Sequence, residues 1–430
     1  MSQHDMNIAN ADGATVRADL NNALSALATA SSGATAPSTT FAFQLWADTT
    51  NDTLWQRNAA NSAWINILTL STGYQFAAAS QAEMEAGTEA ALRSMSPLRV
   101  AQAIDALATG STAYGLFTKA TPTAVAFTKT GAFTVSTACA IYVEVNGTVH
   151  TIAASTAITM PGSATIGTDY AIWAKTDGTL EATSNHTTPP TANARKIGGF
   201  HYAPGGNAAA QAGGDSTPAI NAYSLWDLKF RPACPDPRGM TLVADSFWSD
   251  IYLLGVDHLT NGTSKYNVTI ADGSSPPKKP AKFGGNGSTT QSDGNWWNMN
   301  EVLQSWGKRS PTYDEFGALA YGTTEASSLG SDPVNTVLNA AYTSRWGVIQ
   351  STGVVWIWGG EFGGGAAAAG WTANTGGRGS TYQMENAVLF GGDWGGASYS
   401  GSRASVWNNS PTLSGSGIGA RGVCDHLILD

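Results

Sequence analysis

Residues 140–149 read Ala140-Ile-Tyr-Val-Glu-Val-Asn-Gly-Thr-Val149, in which apolar and polar side chains alternate before an Asn-Gly pair. Alternation with a period of two places one apolar face on a core, and Asn-Gly favours the positive φ angles of a tight hairpin turn. The pattern returns in Asp169-Tyr-Ala-Ile-Trp-Ala174, which Asp177-Gly178 follows. We therefore predict an all-β domain over residues 112–205, with about eight short strands in a sandwich or a small barrel.

The composition of the whole chain favours β structure and long ordered loops. Charged residues make up only 12% of the 430 residues, and 49 residues are glycine. Ordinary globular proteins carry about 25% charged residues. The deficit is filled by Ala, Ser, Thr, Asn and Gly, a composition more typical of strands and turns than of a helical cytosolic enzyme.

Charge and hydropathy exclude two classes of partner. The net charge is −9, and no basic run is longer than Lys278-Lys279, so we expect no nucleic-acid binding. No apolar stretch reaches the length of a membrane span, so we expect no membrane insertion. Residues 1–15 lack the basic and then apolar pattern of a signal peptide, which predicts synthesis in the cytoplasm. The cysteines Cys139, Cys234 and Cys424 are odd in number and far apart, so they imply no disulfide framework.

Two regions before the β domain read differently. In residues 1–70, Val16, Leu20, Leu24 and Leu27 recur at helical spacing, which fits a small helix bundle, a trimeric coil or a helix packed on its own domain. Residues 41–46 and 63–67 read as strands around a polar turn. Residues 71–111 read as a helical connector: Ser80 and Glu83 form a capping box, and a second helix runs from Pro97 through Leu107 to Gly110.

Residues 206–430 form the largest predicted unit, an α+β domain in a mainly β chain. It holds 11 of the 15 tryptophans, which predicts a core rich in aromatic surface. Helices are expected over 298–306 and 314–320, and buried strands over 353–358 and 387–390. The last 80 residues hold 19 glycines. We interpret these runs as long loops pinned by aromatic anchors.

No catalytic or metal-binding pattern stands out. The histidines are scattered without metal-ligand spacing, and no CxxC occurs; they are His4, His150, His186, His201, His258 and His426. His426 beside Asp425 is either a proton relay or a structural hydrogen-bonded pair. Gly214-Asp-Ser216 lacks the elbow of an esterase nucleophile, and Gly415-Ser-Gly-Ile-Gly419 does not join a strand to a helix. We expect no cofactor; a structural Ca²⁺ or Mg²⁺ is left open, with oxygen ligands from Asp245, Asp250, Asp257 and Asp272.

Several long stretches resemble one protein family, the phage major tropism determinants, which are variable receptor-binding proteins of diversity-generating retroelements. The stretches are Lys196–Pro204, Ala222–Asp227, Asp236–Ala244, Gly262–Gly273 and Gly419–Leu429. In addition, Ala79–Thr88 with Ser96-Pro97, and Gln44–Trp46 followed by Gln56–Asn58, resemble connectors of phage tail fibres. The likeness to the family covers about three quarters of the chain, from residue 112 onward, and leaves residues 1–70 as an N-terminal tail-attachment region.

The resemblance implies a homotrimer and a C-type-lectin-like domain over 206–430, related in shape to formylglycine-generating enzymes. Those enzymes oxidise through a cysteine pair; only Cys234 and Cys424 are available in this domain, without a matching local motif, so we infer the fold without the chemistry. The family varies a set of receptor-contacting positions near its C-terminus. Carried onto this sequence they are Asp393, Gly395, Ala397, Tyr399, Val406, Asn408, Asn409, Leu413, Gly415, Gly417 and Ile418.

The composition and spacing of residues 386–420 also indicate a binding surface. Residues 386–420 contain two charged side chains, Asp393 and Arg403. Positions 395, 397 and 399 alternate, as do 413, 415 and 417, which would place each set on one side of an extended backbone. A surface of Gly, Ser, Asn and Tyr with little charge suits adaptable recognition. We expect Trp394 and Trp407 to be buried scaffold, and Arg403 to tie loops together through backbone carbonyls.

These observations predict a tail-fibre receptor-binding protein without enzymatic activity, located in the virion tail. Its partners would be other copies of itself, other tail proteins through the N-terminal region, and a bacterial outer-membrane receptor, protein or glycan. Two alternatives stay open. One is a structural fibre or baseplate protein without receptor contact. The other is a glycan depolymerase, for which the candidate carboxylates are Asp314, Glu315, Glu325 and Glu361.

Overall fold

The structure is a computed structural model of the chain. It describes residues 3–71, 115–366, 370–373, 380–382 and 385–429, together with positions 73, 79, 80, 82 and 100. The chain divides into two compact units, Met1–Thr112 and Ala113–Asp430. Apart from those few positions, the predicted connector over residues 71–111 lies outside the described residues, and so do Glu83, Pro97, Leu107 and Gly110.

The first unit combines one helix with a three-stranded antiparallel meander. Its elements are α1 (Gly13–Ala28), β1 (Leu45–Asp48), β2 (Thr53–Arg57) and β3 (Trp64–Thr69). Asp12 begins the helix, since its carboxylate accepts the backbone N–H groups of Ala14 and Thr15. The strand predicted over residues 63–67 is present as β3. The strand predicted over residues 41–46 begins only at Leu45, because the chain turns at Phe43, which has a φ of 64°. The polar turn expected between the two contains a third strand, β2.

The leucine stripe of α1 does not face its own unit. The helix is present as predicted, but it packs through Ala23 and Ala26. Leu20, Leu24 and Leu27 remain 47%, 55% and 66% exposed. An apolar row of this kind is left without a partner within the described part of one chain.

The second unit begins with short antiparallel strands that follow the predicted pattern. Asn146 and Gly147 both take positive φ angles of 51° and 83°, so the predicted turn joins two hairpin strands. Gly178 takes a φ of 81° in the second predicted turn. The elements are β4 (Phe117–Lys119), β5 (Phe127–Gly131), β6 (Thr134–Thr137), β7 (Ile141–Val145), β8 (Thr148–Ile152), β9 (Thr168–Ala174), β10 (Leu180–Thr183) and β11 (Arg195–Ala203).

One sheet is continuous across the predicted domain boundary at residue 205. Its strand order is β10-β9-β11-β13-β14-β23-β16-β15, and β12 pairs with β11 at one side. The added elements are β12 (Ala219–Ile220), β13 (Trp226–Asp227), β14 (Phe230–Pro232), β15 (Met240–Val243), β16 (Phe247–Asp250) and β23 (Val423–Ile428). The C-terminal strand β23 therefore lies between β14 and β16, deep within the sheet.

The remaining elements build the part of the unit that carries the site. They are α2 (His258–Asn261), α3 (Trp296–Ser305), α4 (Tyr313–Leu319), β17 (Trp356–Ala366), β18 (Trp371–Ala373), β19 (Ser380–Tyr382), β20 (Glu385–Phe390), β21 (Ser405–Asn409) and β22 (Ile418–Gly419). Strands β21-β20-β17-β22 form a four-stranded sheet, and β18 pairs with β19. Helices α3 and α4 match the two predicted helices to within two residues at each end, and β17 and β20 account for the predicted buried strands.

An aromatic core supports this sheet, as the tryptophan content predicted. Phe316 of α4 stacks on Phe390 of β20 at 5.1 Å between ring centroids, and both side chains are fully buried. Trp358 is also fully buried and donates its indole N–H to the Gly294 carbonyl at 3.1 Å. This bond ties the loop at Gly294 to the sheet.

Candidate functional site

Three separate stretches carry the predicted variable positions: residues 393–399 after β20, residues 405–409 in β21, and residues 413–418 before β22. The first stretch is joined to the chain just before β17, where Asp393 forms a β-bridge with Val354. The third is joined to the first residue of β17, where the Trp356 N–H donates to the Gly417 carbonyl at 2.9 Å. A Cβ built on Gly417 would stand only 2.9 Å from Oδ2 of Asp393. The fold therefore brings the first and third stretches together.

The first stretch is a turn, which corrects the extended backbone that the alternation predicted. Ala397–Tyr399 form a 3₁₀ turn. The Gly395 N–H donates to Oδ1 of Asp393 at 3.1 Å, and the Ala397 N–H donates to Oγ of Ser328 at 3.0 Å. These local bonds replace the strand pairing that an extended segment would need. The turn leaves Tyr399 84% exposed.

The second stretch is the edge strand β21, paired with β20. Val406 lies opposite Leu389 and Asn409 opposite Ala387, with a bulge between the two pairs. Asn408 is exposed, whereas Val406 and Asn409 are half-buried. Residues along a strand point alternately to opposite faces, so Trp407 points away from Val406 and Asn408 and packs on the core instead.

The third stretch is a loop held by backbone contacts from elsewhere in the unit. The Gly273 N–H donates to the Gly415 carbonyl, and the Gly294 N–H donates to Oγ of Ser414, both at 2.9 Å. Leu413 is exposed at the tip of the loop. The residues expected to alternate here lie in a bent loop and not in a strand.

Glycines in this segment fall into two kinds. A Cβ added at Gly395 would have its nearest neighbouring atom at 3.6 Å, and a Cβ added at Gly415 would have its nearest at 3.9 Å, so both positions have room for a side chain. In contrast, Gly392 has a φ of 85° and a Cβ there would lie 2.2 Å from Oγ of Ser400. Gly401 has no room for a side chain either, because a Cβ there would lie 2.3 Å from Oε2 of Glu325. The two open glycines are predicted variable positions, and the two closed ones belong to the framework.

Ile418 is the variable position that the structure corrects. Its side chain is only 7% exposed and belongs to a core cluster with Leu389 and Ala420. It pairs with Trp356 in the short parallel strand β22, which turns its side chain inward. Ile418 therefore does not offer its side chain to a ligand.

The scaffold roles are distributed differently from the prediction. Trp394 and Trp407 pack against the core, but both are half-buried, so their expected burial is met only in part. Arg403 is exposed, and within the described residues its guanidinium makes no hydrogen bond. Only its carbonyl is engaged, accepting from the Tyr313 hydroxyl at 3.3 Å. The Arg403 guanidinium lies at the exposed rim of a loop, where water can accept its hydrogen bonds in place of buried carbonyls.

Arg421 performs the role that was assigned to Arg403, and sequence reasoning missed it. Its fully buried guanidinium donates to four backbone carbonyls, those of Asp250 and Ile251 at 2.8 Å each, Ile349 at 2.6 Å and Gln350 at 3.1 Å. Burial lowers the pKa of Arg421 to about 9. The signal was present in the sequence, since Arg421 is the single cation in the apolar run 418–424.

Glu325 is a second framework residue, and it was considered only as a catalytic carboxylate. Its carboxylate accepts the Ser402 N–H at 2.9 Å and the Ser402 hydroxyl at 2.6 Å. Ser402 lies between the first and second stretches. The bond pair therefore fixes the connection between Tyr399 and β21.

The other depolymerase candidates are also structural. Glu315 completes the capping box of α4 and pairs with Arg309 at 2.6 Å. Glu361 accepts the Tyr313 N–H at 2.7 Å. Asp314 is exposed in the first turn of α4, where a negative charge favours the helix.

His426 and Asp425 do not form a pair of either predicted kind. Nδ1 of His426 accepts the indole N–H of Trp248 at 2.9 Å, whereas exposed Asp425 accepts from Arg309 at 2.9 Å. Neighbours along β23 point to opposite faces, which separates the two side chains. Gly214–Ser216 form a loop in which Asp215 accepts the Thr217 N–H at 2.7 Å, so they form no nucleophile elbow.

Three of the four aspartates considered as ion ligands have separate partners, and the fourth, Asp245, is exposed. Asp250 pairs with Lys308, Asp257 caps α2 and pairs with Lys278, and Asp272 accepts the N–H groups of Ser274 and Ser275. In the part of the chain that the structure describes, no three His, Cys, Asp or Glu side chains are grouped as metal ligands. In the same part, no helix combines the length and apolar character of a membrane span.

Comparison with known proteins identifies the family. The family model described as the Mtd second domain matches residues 124–227. The tail fiber receptor-binding protein of Bordetella phage BPP-1 is 55% identical over 326 residues, which is 73% of this chain and 85% of that protein. The solved Major Tropism Determinant M1 and U1 variants are each 50% identical, with TM-scores of 0.72 and 0.71, over 91% of this chain and 96% of theirs. That coverage exceeds residues 113–430 and so includes part of the first unit. The chain belongs to the major tropism determinant family of phage tail-fibre receptor-binding proteins.

Proposed function

We propose that this chain is the receptor-binding tip of a phage tail fibre, located in the virion tail. The observation that supports the proposal best is the convergence of the separate stretches on one framework. We define the variable surface as the predicted positions other than buried Ile418: Asp393, Gly395, Ala397, Tyr399, Val406, Asn408, Asn409, Leu413, Gly415 and Gly417. It would contact a bacterial outer-membrane receptor, either protein or glycan.

The chemistry of the variable surface suits a ligand that is recognised by shape. Tyr399 and Leu413 supply exposed apolar area, and Asn408 supplies an adaptable amide. Asp393 is the single charged member, so salt should affect binding little. With glycine at 395, 415 and 417, the area contributed by each copy is small, and we expect modest affinity per copy.

Avidity would then supply the strength of attachment, which requires several copies. We propose a homotrimer whose C-terminal domains are C-type-lectin-like. The uncharged stripe of Leu20, Leu24 and Leu27 supports self-association, since a symmetric interface brings identical side chains together and excludes like charges. Linked sites bind as one unit at high effective concentration. Light scattering of the purified protein should give three times the chain mass of 44.5 kDa; a monomer at all concentrations would contradict the trimer.

The first unit would attach the tip to other tail proteins. An apolar pocket between the end of α1 and the start of β1 is lined by Leu27, Phe41, Phe43 and Leu45. This surface and the leucine stripe leave the first unit rich in exposed apolar side chains. Such patches mark protein interaction sites.

Binding of fluorescent full-length protein to host cells tests the proposal. A variant with Tyr399→Ala, Asn408→Ala and Leu413→Ala should lose saturable binding. A control with Tyr142→Ala, Val149→Ala and Ile166→Ala removes exposed side chains elsewhere and should keep it. Binding that persists in the first variant would contradict the assignment of the surface. If wild-type protein binds no cell in a panel that the phage infects, the structural-fibre alternative would replace the proposal.

A further inference from the structure

Cys234 and Cys424 face each other across β14 and β23, although 189 residues separate them in the sequence. The antiparallel register places Phe230 opposite Ile428 and Pro232 opposite His426. The Ala233 N–H then donates to the Asp425 carbonyl at 2.9 Å, which continues the register by one residue. One step further, Cys234 lies opposite Cys424.

The hydrogen-bond pattern decides what kind of pair this is. In an antiparallel ladder, pairs that exchange N–H···O bonds alternate with pairs that do not. Ala233 and Asp425 form a bonded pair, so Cys234 and Cys424 form the unbonded kind, whose Cα atoms lie about 4.5 Å apart with side chains close together. Disulfides need a Cα separation of about 4.4–6.8 Å, a range that includes the typical separation of an unbonded pair.

The two thiols are buried together in one cluster. Cys234 is 0% and Cys424 is 4% exposed, and both belong to one core cluster with Met240 and Trp248. The hydrogen bond between the thiols lowers the pKa of Cys234 and raises that of Cys424. The buried ammonium of Lys308 adds to the lowering at Cys234. Cys234 is therefore the better nucleophile of the pair.

A small polar cavity is lined by a residue that Cys234 contacts, although neither cysteine lines the cavity itself. Its volume is about 140 Å³, and its lining includes Asp236, Trp306 and Lys308. Sγ of Cys234 donates to the Asp236 carbonyl at 3.2 Å, so Asp236 lies between the thiol and the cavity. The cavity has room for a molecule the size of hydrogen peroxide but not for a glutathione disulfide.

We propose that Cys234 and Cys424, which are free thiols in this structure, form a cross-strand disulfide when the protein meets a hydroperoxide. The Cys234 thiolate attacks one peroxide oxygen; an S–O bond forms, the O–O bond breaks, and the leaving hydroxide takes up a proton to become water. The Cys424 thiol sulfur then attacks the sulfenic sulfur and gives up its proton to the leaving hydroxide. An S–S bond forms, the S–O bond breaks, and a second water leaves. The peroxide is reduced by two electrons, and the dithiol is oxidised by two.

The disulfide would fasten the strand that follows the variable surface. It would join the end of β14 to β23 and close a loop that contains α2, α3, α4 and the four-stranded sheet. Cross-links that close long loops restrict the unfolded chain most. The inference rests on the strand register and does not depend on receptor binding.

The experiment uses reduced full-length protein, treated with hydrogen peroxide and then denatured for thiol counting, intact mass and peptide mapping. We expect loss of two of the three thiols, a mass lower by two hydrogen atoms, a peptide link between Cys234 and Cys424, and recovery with dithiothreitol. The Cys139→Ala variant should keep the link. Retention of all three thiols in wild-type protein would overturn the proposal, and so would a stable oxygen adduct on Cys234 with Cys424 still free. The wild-type result decides the matter even if cysteine variants fold poorly.

Discussion

The carboxylate of Glu325 accepts both the backbone N–H and the hydroxyl of Ser402, at 2.9 Å and 2.6 Å, although the two residues are 77 positions apart in the sequence. Ser402 lies between the first and second stretches of the variable surface, and Ser402 is itself buried. The shape of the surface therefore depends on a residue that is not part of it. Rigid frameworks that position loops in this way are what binding loops need.

Replacement of Glu325 tests that dependence. Glu325→Ala leaves two buried donors of Ser402 without an acceptor, which should lower the free energy of unfolding by about 1–3 kcal/mol. Receptor binding should also weaken, because Tyr399 loses its fixed position. Urea unfolding and cell binding measure the two effects. Glu385→Ala removes an exposed carboxylate and serves as the control, with an expected change within about 0.5 kcal/mol. Equal stability of the two variants would contradict the assigned role.

Glycines of the surface and of the framework should respond differently to the same substitution. Gly395→Tyr and Gly415→Tyr place a side chain in open space, so we expect less than about 1 kcal/mol of destabilisation and altered binding. Gly392→Tyr demands a positive φ and collides with Ser400, so loss of folding is expected. Thermal unfolding of the purified variants distinguishes the two groups. Collapse of the Gly395 and Gly415 variants would show that these positions are not open to variation.

Arg421 should matter far more than Arg403. Arg421→Met leaves four buried carbonyl groups without a donor and should cost at least about 3 kcal/mol. Arg421→Lys should recover part of this, since an ammonium reaches fewer carbonyls than a guanidinium. Arg403→Met should change the free energy of unfolding by no more than about 0.5 kcal/mol. Chemical denaturation measures these losses of unfolding free energy. A larger loss for Arg403→Met than for Arg421→Met would show that Arg403, and not Arg421, holds the loops together.

Acid should remove one contribution to the stability of the β hairpin. The Gly147 N–H donates to Glu144 at 2.5 Å and, with the Gly115 N–H and the Arg195 guanidinium, lowers the pKa of Glu144 from 4.5. A carboxyl with a lowered folded pKa stabilises the protein above its unfolded pKa, and the contribution disappears as the pH falls through the folded pKa. Wild type should therefore exceed Glu144→Gln in unfolding free energy at about pH 7, and the gap should close well below pH 4.5. A gap that does not change with pH would contradict this explanation.

Sequence reasoning succeeded where structure is local. The β7–β8 hairpin follows from alternation and Asn146-Gly147, and α3 and α4 follow from helical patterns within a few turns. The family resemblance rested on long identical-looking runs, and the comparisons confirm it. These features depend on neighbours within about ten residues, so a pattern in one segment is enough to predict them.

The corrections share one physical cause, contacts between residues far apart in the chain. Ile418 is buried because it pairs with Trp356, and Arg421 replaces Arg403 because the carbonyls near residues 250 and 350 converge on it. Cys234 and Cys424 looked distant, yet the strand order makes them neighbours. Strands that follow one another in the sequence are often neighbours, but a pattern in one segment does not show which distant strands lie side by side.

We expect the variable surface to select the receptor while the framework stays constant. The binding of a chimera to two hosts tests this directly. The ten residues of the variable surface are replaced by those of a family member that binds a different bacterium, and every other residue is kept. The chimera should bind the second host and no longer the first. A folded chimera that still prefers the original host would contradict the claim, because recognition would then lie outside these ten residues.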